Sequence, residues 1–212
     1  MKALYNKLNR KKPTSLREAL EGCLLSDSER GKEYVYKKLY GYVMAVTLRY
    51  LRNEYEAEEV VNECFIKAFE KLGTFVQHEE DAVLEKTFRS WLARIAVNSC
   101  IDFLRKKNLD ASTPVDELTG SDLEKHVVYN AQELEQNDIL ALVEKLSDVQ
   151  RTIFNLYEIE GYTHEEISER LRIPESTSRT YLMRAKRRLR ELYENLFYQE
   201  KGKTMVVKIK NK

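Results

Sequence analysis

The sequence is poor in the residues that punctuate a chain. Its 212 residues hold three prolines and seven glycines, too few for a collagen-like, disordered or loop-rich all-β protein. Cysteine is scarce as well: Cys23, Cys64 and Cys100 are odd in number and far apart, with no CxxC or CxxxH pair for zinc. Each falls among apolar positions of a helical pattern, where a free cysteine acts as a small buried residue. His78, His126 and His164 are scattered, and no Gly-rich phosphate loop, GxSxG or HExxH occurs. Catalytic residues, a metal site and a cofactor are therefore not expected, and a helical enzyme is the weakest rival reading. Charges interrupt every apolar run before the roughly 18–20 residues a membrane span needs. No charged-apolar-small pattern opens the chain, so no signal peptide is expected and the expected location is the cytoplasm, without membrane insertion. Nor does one sign of charge dominate. The net charge is +1 at pH 7, so any nucleic-acid binding must come from local basic clusters.

What the sequence does contain is helical periodicity. Ser15 to Glu18 reads as a capping box opening a helix with Leu16, Ala19, Leu20, Cys23 and Leu24 on one face. A second helix is expected from near Asp27–Glu29, with Val35, Leu39, Tyr42, Val43, Val46 and Tyr50 inward. From Glu56 to Leu72, Ala57, Val60, Val61, Cys64, Phe65, Ala68, Phe69 and Leu72 form an unbroken i, i+3, i+4, i+7 series, with Gly73 as the expected C-cap. Its other face carries Glu58, Glu59, Asn62, Glu63 and Lys67. Residues 74–86 have no sustained period and include the acidic run Glu79-Glu80-Asp81. A fourth helix is expected from Thr87 to Lys107, with Phe88, Trp91, Leu92, Ile95, Ala96 and Ser99 inward and Arg89, Arg94, Asn98, Arg105, Lys106 and Lys107 at polar positions. Trp91 on that stripe reads as core.

Residues 108–133 change character: Asp, Ser, Thr, Pro114 and Gly120 break the pattern and acids outnumber bases, as in a flexible linker. A second helical block follows, with Ile139, Leu142, Val143 and Leu146 as a stripe. Ser147 to Gln150 and Thr163 to Glu166 are two further capping boxes. Gly161 closes one helix, and Pro174 stands where the first turn of the next tolerates it. The last helix is expected over about Glu175–Phe197, with Leu182, Ala185, Leu189 and Leu192 inward. The expected architecture is all-α: a basic extension (1–13), a helical domain (14–107), the acidic linker (108–133), a helix-turn-helix domain (134–197) and a Lys-rich, frayed tail (198–212).

Two faces carry functional signal. Between Ile173 and Arg190 there are six bases, Arg179, Arg184, Lys186, Arg187, Arg188 and Arg190, against one acid, Glu175. A basic helix behind a capped short helix and a Pro-punctuated turn can lie in the DNA major groove, its N-terminal hydroxyls and Arg reaching base edges and its later bases holding phosphates. The first domain sets an acidic face on helix 56–72 beside bases on helix 87–107. This points either to a protein partner and a nucleic-acid partner or to salt-bridging within helices, such as Glu63 with Lys67.

Three stretches, AEEVVNECFIKAFEKLGTF (57–75), FRSWLARIAVNSCIDFLRKK (88–107) and LSDVQRTIFNLYEIEGYTHEEISERLRIPESTSRTYLMRAKRRL (146–189), occur in an order that resembles bacterial sigma factors of the ECF (extracytoplasmic function) group, within the sigma-70 superfamily. The resemblance implies a transcription initiation factor without catalytic activity. Such a factor binds core RNA polymerase through the β′ clamp helices and the β subunit, recognises the −10 and −35 promoter elements, assists melting, and is commonly held by an anti-sigma protein. By position, Glu58, Glu59, Asn62 and Glu63 are implied as polymerase contacts, Glu59 standing where the family usually has Asp and Asn62 where it usually has Gln. Phe75, Phe88, Arg94, Asn98, Arg105 and Lys106, with a loop over 76–87, are implied for the −10 element. Ser176, Thr177, Arg179, Thr180, Met183, Arg184, Lys186 and Arg187 are implied for the −35 element, with Ser176 and Tyr181 where many relatives have Gly and a second Arg. The linker's carboxylates are implied to occupy an RNA channel in the polymerase. The rival from the residues themselves is a helix-turn-helix regulator with no polymerase-docking domain, which accounts for 134–196 but not for the paired acidic and basic helices of the first domain.

Overall fold

The computed structural model describes residues 12–110 and 141–210, with side chains through 107 and from 141 to 195. The basic extension, the linker over 111–133, Ile139, and the side chains of the Lys-rich tail lie outside the described residues. The described residues contain helices and no strand, and the chain divides into two compact units, 1–110 and 111–212.

In the first unit, α1 spans Leu16–Ser26 and α2 spans Glu29–Leu48. Ser15 caps α1 by accepting from Glu18 N at 3.2 Å. The reciprocal half of the expected box is displaced by one residue: the Glu18 carboxylate accepts from Thr14, from its N–H at 2.9 Å and its hydroxyl at 3.0 Å. The turn into α2 is tight. Asp27 takes the left-handed region at φ 48°, and the Ser28 hydroxyl accepts from Gly31 N at 3.2 Å. Gly31 is needed for the close approach of the two helices, since a Cβ there would lie 2.6 Å from the Ala19 carbonyl oxygen and 2.8 Å from Cys23 Sγ. Val35, Leu39, Val43 and Val46 of α2 are buried, and α2 packs against α1, α3 and α4, making it the central helix of the unit. Tyr42 is half-buried, and Tyr50 is buried just past the helix end.

Helix α3 spans Glu54–Glu70, two residues earlier than the apolar series predicts. The cause is Asn53, whose side-chain oxygen accepts from Tyr55 N and Glu56 N. Gly73 is not its C-cap. The helix stops at Lys71, and Leu72–Thr74 form one 3-10 turn with Gly73 at ordinary negative φ. Helix α4 spans Asp81–Asp110, so it starts six residues before the expected Thr87 and takes in residues 108–110. Thr87 is no cap: its hydroxyl donates back to the carbonyls of Val83 and Leu84, the mid-helix habit of a threonine. Leu84 and Phe88 are buried one turn apart. Asp81 lies in the first turn, where a carboxylate favours the positive end of the helix dipole. All three cysteines are buried, as expected. Burial pushes the thiols of Cys23, Cys64 and Cys100 up to about 11, 12 and 12.

In the second unit, Leu142, Val143 and Leu146 are buried ahead of α5, Asp148–Phe154, which Ser147 caps. A π turn over Asn155–Ile159 continues α5. Gly161, at φ 77°, ends it as expected, in a backbone region that favours glycine. Helix α6 spans His164–Leu171, opened by a complete capping box between Thr163 and Glu166. Helix α7 spans Glu175–Lys210, so its backbone continues well past the expected end at Phe197. Both α5 and α6 pack on α7. Val143, Leu146 and Ala185 form a core with Phe154 and Leu189 against it.

Candidate nucleic-acid and polymerase interfaces

On α3 the apolar stripe faces α2 and α4, which leaves Glu58, Glu59, Asn62 and Ile66 exposed. Neither Glu58 nor Glu59 has an ion-pair partner among the described residues. Asn62 accepts from the Tyr36 hydroxyl at 2.9 Å. Glu63 differs from its neighbours. It is half-buried and lies 2.8 Å from Lys67, the i, i+4 pair that the sequence left as an alternative. Lys67 also bonds Ser99 Oγ at 3.2 Å, so this pair ties α3 to α4 while the carboxylates at 58 and 59 stay outward.

The −10 candidates separate by burial. Arg94, Asn98 and Lys106 are exposed on α4, and Arg105 is half-buried with Asp102 at 2.6 Å. Phe88 is 1% exposed, so it is a core residue and presents no surface to DNA. It forms an aromatic trio with half-buried Phe75, 5.1 Å away edge-on, and Trp91, 5.5 Å from both rings. The expected loop over 76–87 is shorter than the sequence reading, because 81–87 are helix. Its acidic run is bound to α1 through Arg17, a residue the sequence did not single out. Arg17 Nε lies 2.7 Å from Asp81 Oδ1.

In the second unit the helix-turn-helix consists of α6, the turn at Arg172 to Pro174, and α7. Arg172 adopts φ 55°, and Ser168 Oγ donates to the Ile173 carbonyl at 2.7 Å. The two helices are fixed at their N-termini by His164 Nδ1 and Ser178 Oγ, 3.0 Å apart. His164 stacks on Tyr157 at 4.5 Å. Burial, with Arg179 nearby, holds its imidazole pKa below the ordinary value. Buried Ser178, Leu182 and Ala185 turn the opposite side of α7 to solvent. That side carries exposed Ser176, Arg179, Met183, Arg184, Lys186 and Arg187, with half-buried Thr177 and Thr180 at its edge. Thr180 donates to the Ser176 carbonyl. Arg179 pairs with Glu175, Lys186 with Glu158 at 2.7 Å, and Arg187 with Glu191 at 3.3 Å. The N-terminal half of α7 can thus offer hydroxyls and a guanidinium to base edges while the following turns offer cations to phosphates.

A helix-turn-helix with an exposed basic second helix, joined in one chain to a helical unit with an outward acidic face, defines the class of protein: a helical DNA-binding factor with a second interaction domain. Residues 35–109 match the family described as sigma-70 region 2, and residues 136–189 match the family described as sigma-70, region 4. The chain is 30% identical over 177 residues to the ECF RNA polymerase sigma factor SigW of Bacillus subtilis, covering 78% of this chain and 86% of that protein. It is 26% identical over 160 residues to the ECF RNA polymerase sigma factor SigM of the same organism, covering 75% and 93%. Among solved structures it is similar to the sigma factor RpoE of Bartonella quintana, determined in complex with the anti-sigma factor NepR, at 21% identity and TM-score 0.44 over 76% of this chain and 96% of that one. The chain belongs to the ECF RNA polymerase sigma factors.

Proposed function

We infer that this protein is a transcription initiation factor that binds core RNA polymerase and directs it to promoters carrying a particular −10 and −35 pair. One observation carries the reading: both sigma-70 regions occur in order in a single chain, each on its own helical unit. A helix-turn-helix regulator without a docking domain accounts for the second unit alone. The work divides between the units. Glu58, Glu59 and Asn62 meet the β′ clamp helices, where exposed carboxylates with no ion pair among the described residues attract a basic partner surface. Asn98, Arg94 and Lys106 of α4, with the segment before it, contact the opened −10 strand. Arg179, Ser176, Thr177 and Thr180 read −35 base edges, with Arg184, Lys186 and Arg187 holding phosphates.

The protein then acts by binding and placement, without catalysis of its own. The family resemblance makes an anti-sigma protein the expected regulator. No described helix is long and apolar enough to cross a membrane, in keeping with action in the cytoplasm where the polymerase works. A titration of labelled core RNA polymerase with the full chain tests the reading. Saturable 1:1 binding, lost when unlabelled protein competes, is expected. Failure to bind core, with tight salt-dependent binding to free duplex DNA, would favour the regulator.

A further inference from the structure

The segment joining α3 to α4 is fixed at both ends. At its start Phe75 packs on Phe88 and Trp91. At its end Arg17 reaches over from α1. Its Nε donates to Asp81 Oδ1 at 2.7 Å, and one terminal nitrogen donates to the carbonyls of His78 at 2.9 Å and Glu79 at 2.5 Å. The arginine side chain is 27% exposed, so these contacts are partly shielded from water. Just inside α4, Glu85 is gripped by Lys38 of α2 and by Arg89, each at 3.1 Å, and the Arg89 guanidinium lies 5.4 Å over the Tyr42 ring. Between the two anchors Val76 is 72% exposed, and Gln77 is half-buried.

A guanidinium offers several donors in a rigid plane, which lets one side chain hold two carbonyls and a carboxylate together. An ammonium is a point donor and cannot reproduce that pattern. The acidic run also gains a reason here: Asp81 is the counter-charge that seats Arg17. A segment whose carbonyls are already bonded needs little ordering when a ligand arrives, and preorganisation of that kind favours binding of one shape over others. An exposed Val and a neighbouring amide suit an unstacked base, which offers an apolar face and hydrogen-bonding edges.

We propose that Arg17 is a positioning residue for −10 recognition: by holding the carbonyls of His78 and Glu79 and the carboxylate of Asp81, it fixes the turn that presents Val76 and Gln77 to the opened strand. This rests on the reading of that segment as part of the −10 reader. The residue touches no base itself; it acts through the backbone of the turn.

The test uses the full chain with core RNA polymerase on a promoter library randomised at −10 with a constant −35 element. For Arg17→Gln, the preference among −10 sequences should flatten by about tenfold, the scale of one lost charge-assisted contact. Core affinity and −35 preference should stay as in wild type. Arg17→Lys should recover part of the preference. Asp81→Asn, at a side chain 76% exposed, removes the charge from a single contact and leaves an oxygen acceptor in place, so it should spare the fold and flatten the preference to a lesser degree. A merely structural arginine would lower initiation equally at all promoters. Unchanged −10 preference in both Arg17→Gln and Asp81→Asn overturns the proposal, whatever the overall rate. If wild type itself shows no −10 preference, the reading of the segment falls and the proposal falls with it. If wild type discriminates and the variants do so equally, only the role of Arg17 is lost.

Discussion

Helices α4 and α7 both carry a run of bases, and they use them differently. On α4, Lys107 reaches Glu56 of α3 at 2.7 Å and Arg89 lies over Tyr42 of α2. These bases hold the packing of the first unit. On α7, Lys186 alone of the paired bases reaches off the helix, to Glu158, while Arg179 pairs with Glu175, and Arg187 and Arg188 pair with Glu191, within the same exposed helix. Such pairs are worth about 0.3–0.5 kcal/mol, so a phosphate can replace the carboxylate at small cost. Lys86, Arg94 and Lys106 are the bases of α4 that stay exposed without an ion pair among the described residues. The count of basic residues gives the charge of a helix; the location of each partner decides how much of that charge is available to DNA.

The largest effect is expected in the core of the second unit. Leu156 is fully buried in the second unit, and Leu156→Ala should cost about 2–5 kcal/mol there. Thermal melts should show one early transition, with −35-dependent initiation lost and core binding by the first unit retained. Coupled loss of core binding would show that the units do not act separately. Arg179→Ala should remove about 1–3 kcal/mol of discrimination at one −35 position, read from a library randomised there, with unchanged core affinity. Glu59→Lys should weaken core binding by roughly tenfold in the titration, without a change in melting temperature, because it reverses an exposed charge that has no ion pair among the described residues.

Smaller effects sharpen the contrast directly. Lys107→Ala should lower the stability of the first unit by about 0.2–1 kcal/mol. Arg187→Ala should leave stability unchanged and reduce the salt slope of DNA binding by about 1. Equal effects on stability would erase the distinction between the two helices. The thiols provide a last check. The folded chain keeps them protonated up to about 11–12, against 9.0 for an unperturbed thiol. Folded stability contributed by the buried thiols should therefore decline as pH rises above about 9, and alkylation at pH 8 should require unfolding.

Much of this was legible from periodicity. The buried series on α3 and the complete Thr163–Glu166 capping box follow from residue spacing alone, because a helix repeats its face every three to four residues. Helix starts were harder to read. Asn53 caps α3 from outside its apolar series, and Asp81 opens α4 within a polar stretch whose buried Leu84 gave no periodic signal by itself. Phe88 shows the limit for site residues. Its position in the motif pointed to DNA, while its place on the inward stripe, one turn from Trp91, pointed to the core, and the core reading holds; only the contact with Phe75 needs the folded chain. Arg17 was invisible for the same reason, since its partners lie 61 to 64 residues away.

The proposed function places polymerase docking and −10 recognition on the first unit and −35 recognition on the second. Its most direct test is transcription with core RNA polymerase on templates randomised at both promoter elements. Initiation that requires the protein and selects a −10 and a −35 sequence at a fixed spacing is the predicted result. Absence of protein-dependent initiation, with sequence-selective binding to duplex DNA that needs no polymerase, would contradict it.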